Sequence, residues 1–110
     1  MDKFTRNGLL YDYYGNLLSK RQQEVTRFYY EDNLSLSEIA EEFGITRQGV
    51  HDALHAAEKA LEGYEQKLGL LEKQLTREAA ADKIERALAA ASIDEGVAAI
   101  VQEQLERIKE

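Results

Sequence analysis

Residues 34–55 read LSLSEIAEEFGITRQGVHDALH, and the spacing inside this stretch decides the fold. In a twenty-residue window counted from Leu36, Ile39 and Ala40 are fourth and fifth. Phe43, Gly44 and Ile45 are eighth to tenth, and Val50 and Ala53 are fifteenth and eighteenth. A helix-turn-helix unit needs these residue types at these places. A small Ala lets two helices approach closely, and Gly permits the positive φ of a tight turn. The apolar residues around them form the small core that locks the helices at a steep angle. The competing reading is two ordinary helices of a bundle, and seven matching positions favour the helix-turn-helix.

The placement fixes which side chains face outward. Thr46, Arg47, Gln48, His51, Asp52 and His55 fall on the free face of the second helix. Arg and Gln can read guanine and adenine edges with two hydrogen bonds each, and an acid can accept from cytosine. Lys20 and Arg21 begin the preceding helix and are candidates for backbone phosphates. A merely solvated helix face is the competing reading for each residue taken singly.

Outward from this core, the pattern is helical throughout. A first helix is expected over about residues 2–14, with Gly15-Asn16 as its stop. Ser19-x-x-Gln22, Ser35-x-x-Glu38 and Ser92-x-x-Glu95 read as capping boxes, and Thr46 as a plain N-cap. From Arg47 no stop is apparent until about Gln74, which gives a helix about 42 Å long. The absence of Pro among 110 residues agrees with an all-α chain. The expected division is a helix-turn-helix domain over 1–60, with its core at 36–55. A long-helix continuation and C-terminal helical extension then fill 61–110.

A heptad runs along that long helix. Leu54, Leu61, Leu68 and Leu75 are spaced by seven, with Ala57, Tyr64 and Leu71 three residues after the first three. This is an a/d seam. Each Leu buried there contributes about 1.5–3 kcal/mol, against about 1 kcal/mol lost at each of Gly63 and Gly69. A helix this long outreaches a small N-terminal domain. The C-terminal helices or a second subunit should cover it, and a homodimer is the favoured expectation.

Charge narrows the function. Lys and Arg number 14 against 21 Asp and Glu, a formal net of −7. Residues 1–60 alone hold seven bases and ten acids, a net of −3. Proteins gripping duplex DNA often make about 6–10 phosphate contacts, so weak binding by a monomer is expected. With no Cys, disulfides and thiolate metal sites are excluded. No apolar run is long enough to span a membrane, and the first six residues lack the apolar core of a secretory signal. A cytoplasmic protein without membrane insertion is the expectation.

Three other patterns are weaker. His51-Asp52-Ala53-Leu54-His55 mimics H-E-x-x-H, in which two His one turn apart share a metal. The acid here is Asp, and the chain has no third His. No metal site is assigned. The pairs Glu41-Glu42 and Asp94-Glu95 diverge by about 100° on a helix and make no acid/base dyad. Tyr11, Tyr13, Tyr14, Tyr29 and Tyr30 have the chemistry to stack on RNA bases, but their helical spacing favours the core. No phosphate-cradling loop is present. No cofactor and no enzymatic activity are expected.

A family resemblance rests on particular stretches. Leu18-Ser19-Lys20-Arg21-Gln22-Gln23, Phe28-Tyr29-Tyr30 and the run from Leu34 to Gln48 resemble region 4 of bacterial sigma factors. Asn7-Gly8-Leu9-Leu10-Tyr11-Asp12-Tyr13-Tyr14, Glu58-Lys59 and Tyr64-Glu65-Gln66-Lys67-Leu68 narrow the likeness to the YlxM (p13-like) family of helix-turn-helix proteins. The resemblance covers about two thirds of the chain. It departs at Gly49, where the pattern has Ala, and at His51, where Tyr is common. It implies a sigma-region-4-like fold and a non-enzymatic accessory role in the signal recognition particle pathway. The partners it implies are the particle's RNA and its GTPases. An operator-binding transcription regulator and a purely protein-docking module are the alternatives.

Overall fold

Each helix begins where a side chain can take up a free backbone N–H, as helix starts require. The computed structural model describes residues 1–110. It contains six α-helices: α1 (Lys3–Tyr14), α2 (Lys20–Tyr30), α3 (Leu36–Phe43), α4 (Arg47–Leu68), α5 (Leu70–Ala90) and α6 (Glu95–Lys109). A short 3-10 turn, Gly15–Leu17, joins α1 to α2. Asp2 caps α1, its Oδ1 accepting from the Thr5 N–H at 2.8 Å. Both internal capping boxes form. Ser19 and Gln22 exchange bonds of 3.3 and 3.2 Å, and Ser35 and Glu38 exchange two of 3.1 Å. The expected box at Ser92 does not form. Asp94 caps α6 instead, accepting from the Val97 N–H at 3.2 Å. A carboxylate is the stronger partner for the positive end of a helix, and it moves the start by two residues.

The helix-turn-helix is present as the spacing predicts. Gly44 ends α3 at φ +66°, and the Ile45 N–H returns to the Ala40 carbonyl at 3.0 Å. This left-handed stop satisfies the last carbonyls of α3 and turns the chain into α4. Val25, Ile39, Ala40, Val50 and Leu54 are buried together, with Phe28, Phe43, Ile45 and Ala53 packed against them. The window's apolar positions therefore form the core that joins α2, α3 and α4.

A second core lies further along α4. Leu10, Tyr14 and Leu18 close over Ala57, Leu61 and Leu71. The cover for the middle of α4 is thus α1, from the same chain. This corrects the expected seam. The long helix does not run to Gln74; it breaks at Gly69, which sits at φ +62°. A glycine adopts that left-handed conformation without the strain of a Cβ. The break shortens the stripe to a length that the N-terminal helices can cover. Leu54 belongs to the helix-turn-helix core, and Ala57, Leu61 and Leu71 belong to the second core. Tyr64 packs at its edge, 6.0 Å from the Tyr14 ring. Only Leu68, 49% exposed, and Leu75, 38% exposed, remain open to water.

The chain divides into two compact units, Met1–Leu71 and Glu72–Glu110. The division lies eleven residues later than the expected 60/61, because Leu61 and Leu71 pack with the first unit. In the second unit polar groups tie α6 to α5. Lys109 Nζ lies 2.8 Å from Asp82 and 2.9 Å from Glu85, and Gln102 Nε2 donates to Glu85 at 3.3 Å. The two carboxylates raise the Lys109 pKa, and Lys109 in turn lowers that of Asp82. Ile84, Val97 and Ile100 remain exposed.

Candidate nucleic-acid interface

The N-terminal half of α4 offers a free face because its opposite side is committed to Val50, Leu54 and Ala57. Arg47, Gln48, His51, Asp52 and His55 all stand exposed there. Arg47, Gln48 and His51 line one shallow groove, with Leu36 of α3 as its other wall. The predicted face is therefore assembled in part by α3, which the linear sequence did not reveal.

Hydrogen bonds and ring contacts link the residues on this face. Gln48 Nε2 donates to Asp52 Oδ1 at 2.9 Å, and His51 Nδ1 lies 3.5 Å from the same oxygen. Asp52 thus holds the Gln48 amide and lies beside the His51 ring. The His51 and His55 rings are parallel within 3°, with centroids 6.2 Å apart. No group of three or more His, Cys, Asp or Glu is placed to hold a metal ion.

Thr46 does the N-capping work expected of it. Its Oγ1 accepts from the Gly49 N–H at 2.9 Å and so caps α4. A Cβ at position 49 would stand 3.2 Å from that oxygen, so Gly49 leaves the cap room that Ala would crowd. No acid occupies the first turn of α4, in contrast to Glu38 in α3. The positive end of the α4 dipole is therefore not neutralised by its own helix. Lys20 and Arg21 lie outside the α3–α4 groove, in the first turn of α2. The Arg21 guanidinium lies 4.7 Å above the Phe43 ring, which holds it against the end of α3.

Sequence reasoning missed two polar clusters in the first unit. Asn7, only 4% exposed, donates to the Tyr30 hydroxyl at 3.1 Å, and that hydroxyl donates to Glu58. Glu65, 7% exposed, accepts from the Tyr14 hydroxyl at 2.6 Å and from the Leu71 N–H at 3.1 Å. The signal was available: Asn7 shares a stripe with Leu10 and Tyr14, and Glu65 follows Leu61 by one turn. A polar residue on a core-facing stripe must find a partner.

Burial, followed by the neighbouring carboxylate, raises the pKa of both Tyr14 and Tyr30 above 10.0. The folded state therefore holds these protons more tightly than the unfolded chain. The stability this supplies is complete below the unfolded value and is lost as pH rises through the folded values. An absorbance titration should show a late group of tyrosines, Tyr14 and Tyr30 among them, whose ionisation is accompanied by loss of helical circular dichroism. Ionisation of all six tyrosines before unfolding would contradict the buried pairs.

Residues 1–100 match the family model described as "Putative helix-turn-helix protein, YlxM / p13 like". The chain belongs to this family. A UPF0122 protein of Desulforamulus reducens is 53% identical over 66% of this chain and 62% of its own length. A Listeria innocua UPF0122 protein is 45% identical over 79% of both chains, and one from Shouchella clausii is 44% identical over 81% and 82%. The chain thus spans less than two thirds of the Desulforamulus relative. The YlxM-like assignment agrees with the all-α helix-turn-helix fold found here. No helix is long and apolar enough to cross a membrane.

Proposed function

We propose that this YlxM-like protein is a non-enzymatic, cytoplasmic nucleic-acid-binding accessory factor of the signal recognition particle pathway. The observation that carries the binding is the uncovered face of α4, where Arg47, Gln48 and His51 share one groove. The link to the particle, its RNA and its GTPases rests on the family resemblance. Thr46 serves as the cap of the reading helix, and Lys20 and Arg21 serve as flanking phosphate contacts. Arg47→Ala should weaken binding about 5- to 150-fold, the worth of one good bidentate base contact. Unchanged binding would remove Arg47 from the interface and point to a protein-docking module. A tagged pull-down tests the target: recovery of the particle's RNA or GTPases supports the pathway, and discrete DNA fragments alone would leave an operator-binding regulator.

The small number of available bases supports a second element of the proposal, a homodimer that doubles them. The α4 residues Leu54, Ala57 and Leu61 are already covered by their own chain, so the apolar side chains left for such a contact include Val97 and Ile100. Sedimentation should show a dimer that Ile100→Glu dissociates; a monomeric wild type would remove this element.

A further inference from the structure

The geometry points to a phosphate-binding rail that continues the α4 face beyond the helix-turn-helix, formed by Lys59 of α4 and Lys3 of α1. It rests on the nucleic-acid reading above and names where the sugar–phosphate backbone would lie. Gln48, Asp52, His55 and Lys59 follow one another at i, i+4, i+7 and i+11. At about 100° per residue they form one narrow stripe, so Lys59 lies on the reading side of α4. The second half of this stripe opens into a separate groove lined by Lys3, Arg6, Asn7, His55, Glu58, Lys59 and Glu62. Lys3 reaches it from α1, 56 residues before Lys59 in the chain, so only folding brings the two lysines together.

The charges in this groove are not equivalent. Glu62 is engaged by Arg6, whose Nε donates to Oε2 at 3.2 Å. Glu58 is turned toward the Tyr30 hydroxyl and the Asn7 amide. Both carboxylates are thus drawn toward α1 and α2. Lys3 and Lys59 are exposed and take part in no ion pair. Three Lys or Arg against two Glu leave the groove at +1, within a unit (1–71) that has eight bases and twelve acids. Cations gathered locally on an acidic surface are placed for an anionic ligand.

Their position selects phosphate rather than base. Eleven residues of helix separate Gln48 from Lys59, about 16 Å at 1.5 Å per residue. A duplex major groove is about 12 Å wide. In helix-turn-helix docking the N-terminal residues of the reading helix meet the base edges, so Lys59, about three turns further along α4, lies beyond them on the side of the backbone.

The test uses the full-length chain, a labelled mixed-sequence DNA duplex and a labelled RNA hairpin, each titrated across a range of salt. The Lys3→Gln/Lys59→Gln variant should lower the salt slope on the duplex by about 2 and weaken binding about tenfold or more near 0.1 M salt. The loss should be equal for all sequences, whereas Arg47→Ala should also relax sequence preference. Lys59→Arg should restore its share of the slope. Wild-type binding with an unchanged slope in the double variant would overturn the rail and leave the reading face standing. No binding of either probe by the wild type would overturn the rail and the nucleic-acid reading together. Both lysines are exposed, so unchanged circular dichroism is the expected folding control.

Discussion

Leu61→Ala is expected to destabilise the first unit by about 2–5 kcal/mol, the range for truncating a buried Leu. Leu61 is 0% exposed, enclosed by Leu10, Tyr14 and Leu18. The surrounding helices are tied at their ends by caps and by the Arg6–Glu62 pair, so the cavity cannot readily collapse. Urea unfolding measures the loss, and sedimentation separates two structural origins. If α1 covers Leu61 within the chain, the variant keeps the wild-type oligomeric state while its midpoint falls. If Leu61 faced a second subunit, the variant would change its oligomeric state, and the fold described here would be wrong at its centre.

Glu65→Ala should cost about 2–4 kcal/mol. Its carboxylate takes up the Tyr14 hydroxyl and the Leu71 N–H, while the Tyr14 oxygen accepts the Leu70 N–H at 3.0 Å. Two side chains thus satisfy the first free donors of α5, which no local cap supplies. Truncation leaves a buried hydroxyl and a buried amide without their acceptor, and such groups cost about 1–3 kcal/mol each. The unfolding temperature should fall by about 8–32 °C in a unit of this size. Glu65→Gln retains an acceptor oxygen and should recover most of the loss. Equal loss in the two variants would mean that charge, rather than acceptance, is what Glu65 supplies.

How much of this was legible depends on the range of each interaction. The caps at Ser19, Ser35 and Thr46 and the turn at Gly44 are short-range devices, written within four residues of where they act. The sequence pattern accordingly places them, and the core around Ile39, Ala40 and Val50, where the structure has them. The heptad from Leu54 to Leu75 was legible as a pattern but not as a partner. Its period is shared by a helix facing another subunit and by one facing α1. Only the backbone angle at Gly69 shows that it does not continue as one helix. Asp94 displaced Ser92 as a cap because two acceptors competed within one turn. The Tyr14–Glu65 and Asn7–Tyr30–Glu58 clusters join residues far apart in sequence. Their signal, a polar residue on a core stripe, says that a partner is needed without saying which.

The bare first turn of α4 has a kinetic consequence for the proposed complex. The field of a helix end falls off within about one turn, and at physiological salt free charges are screened over about 8 Å. The first unit carries more acids than bases, so a nucleic acid at greater distance meets net repulsion. Attraction in the proposed complex is short-ranged: it comes from Arg47, from the α4 terminus, whose first turn holds no acid, and from the exposed Lys3 and Lys59. Encounter in the proposed complex is expected to be slower than that of basic DNA-binding domains. Residence time, rather than rate of capture, would then set the target preference of the proposed complex.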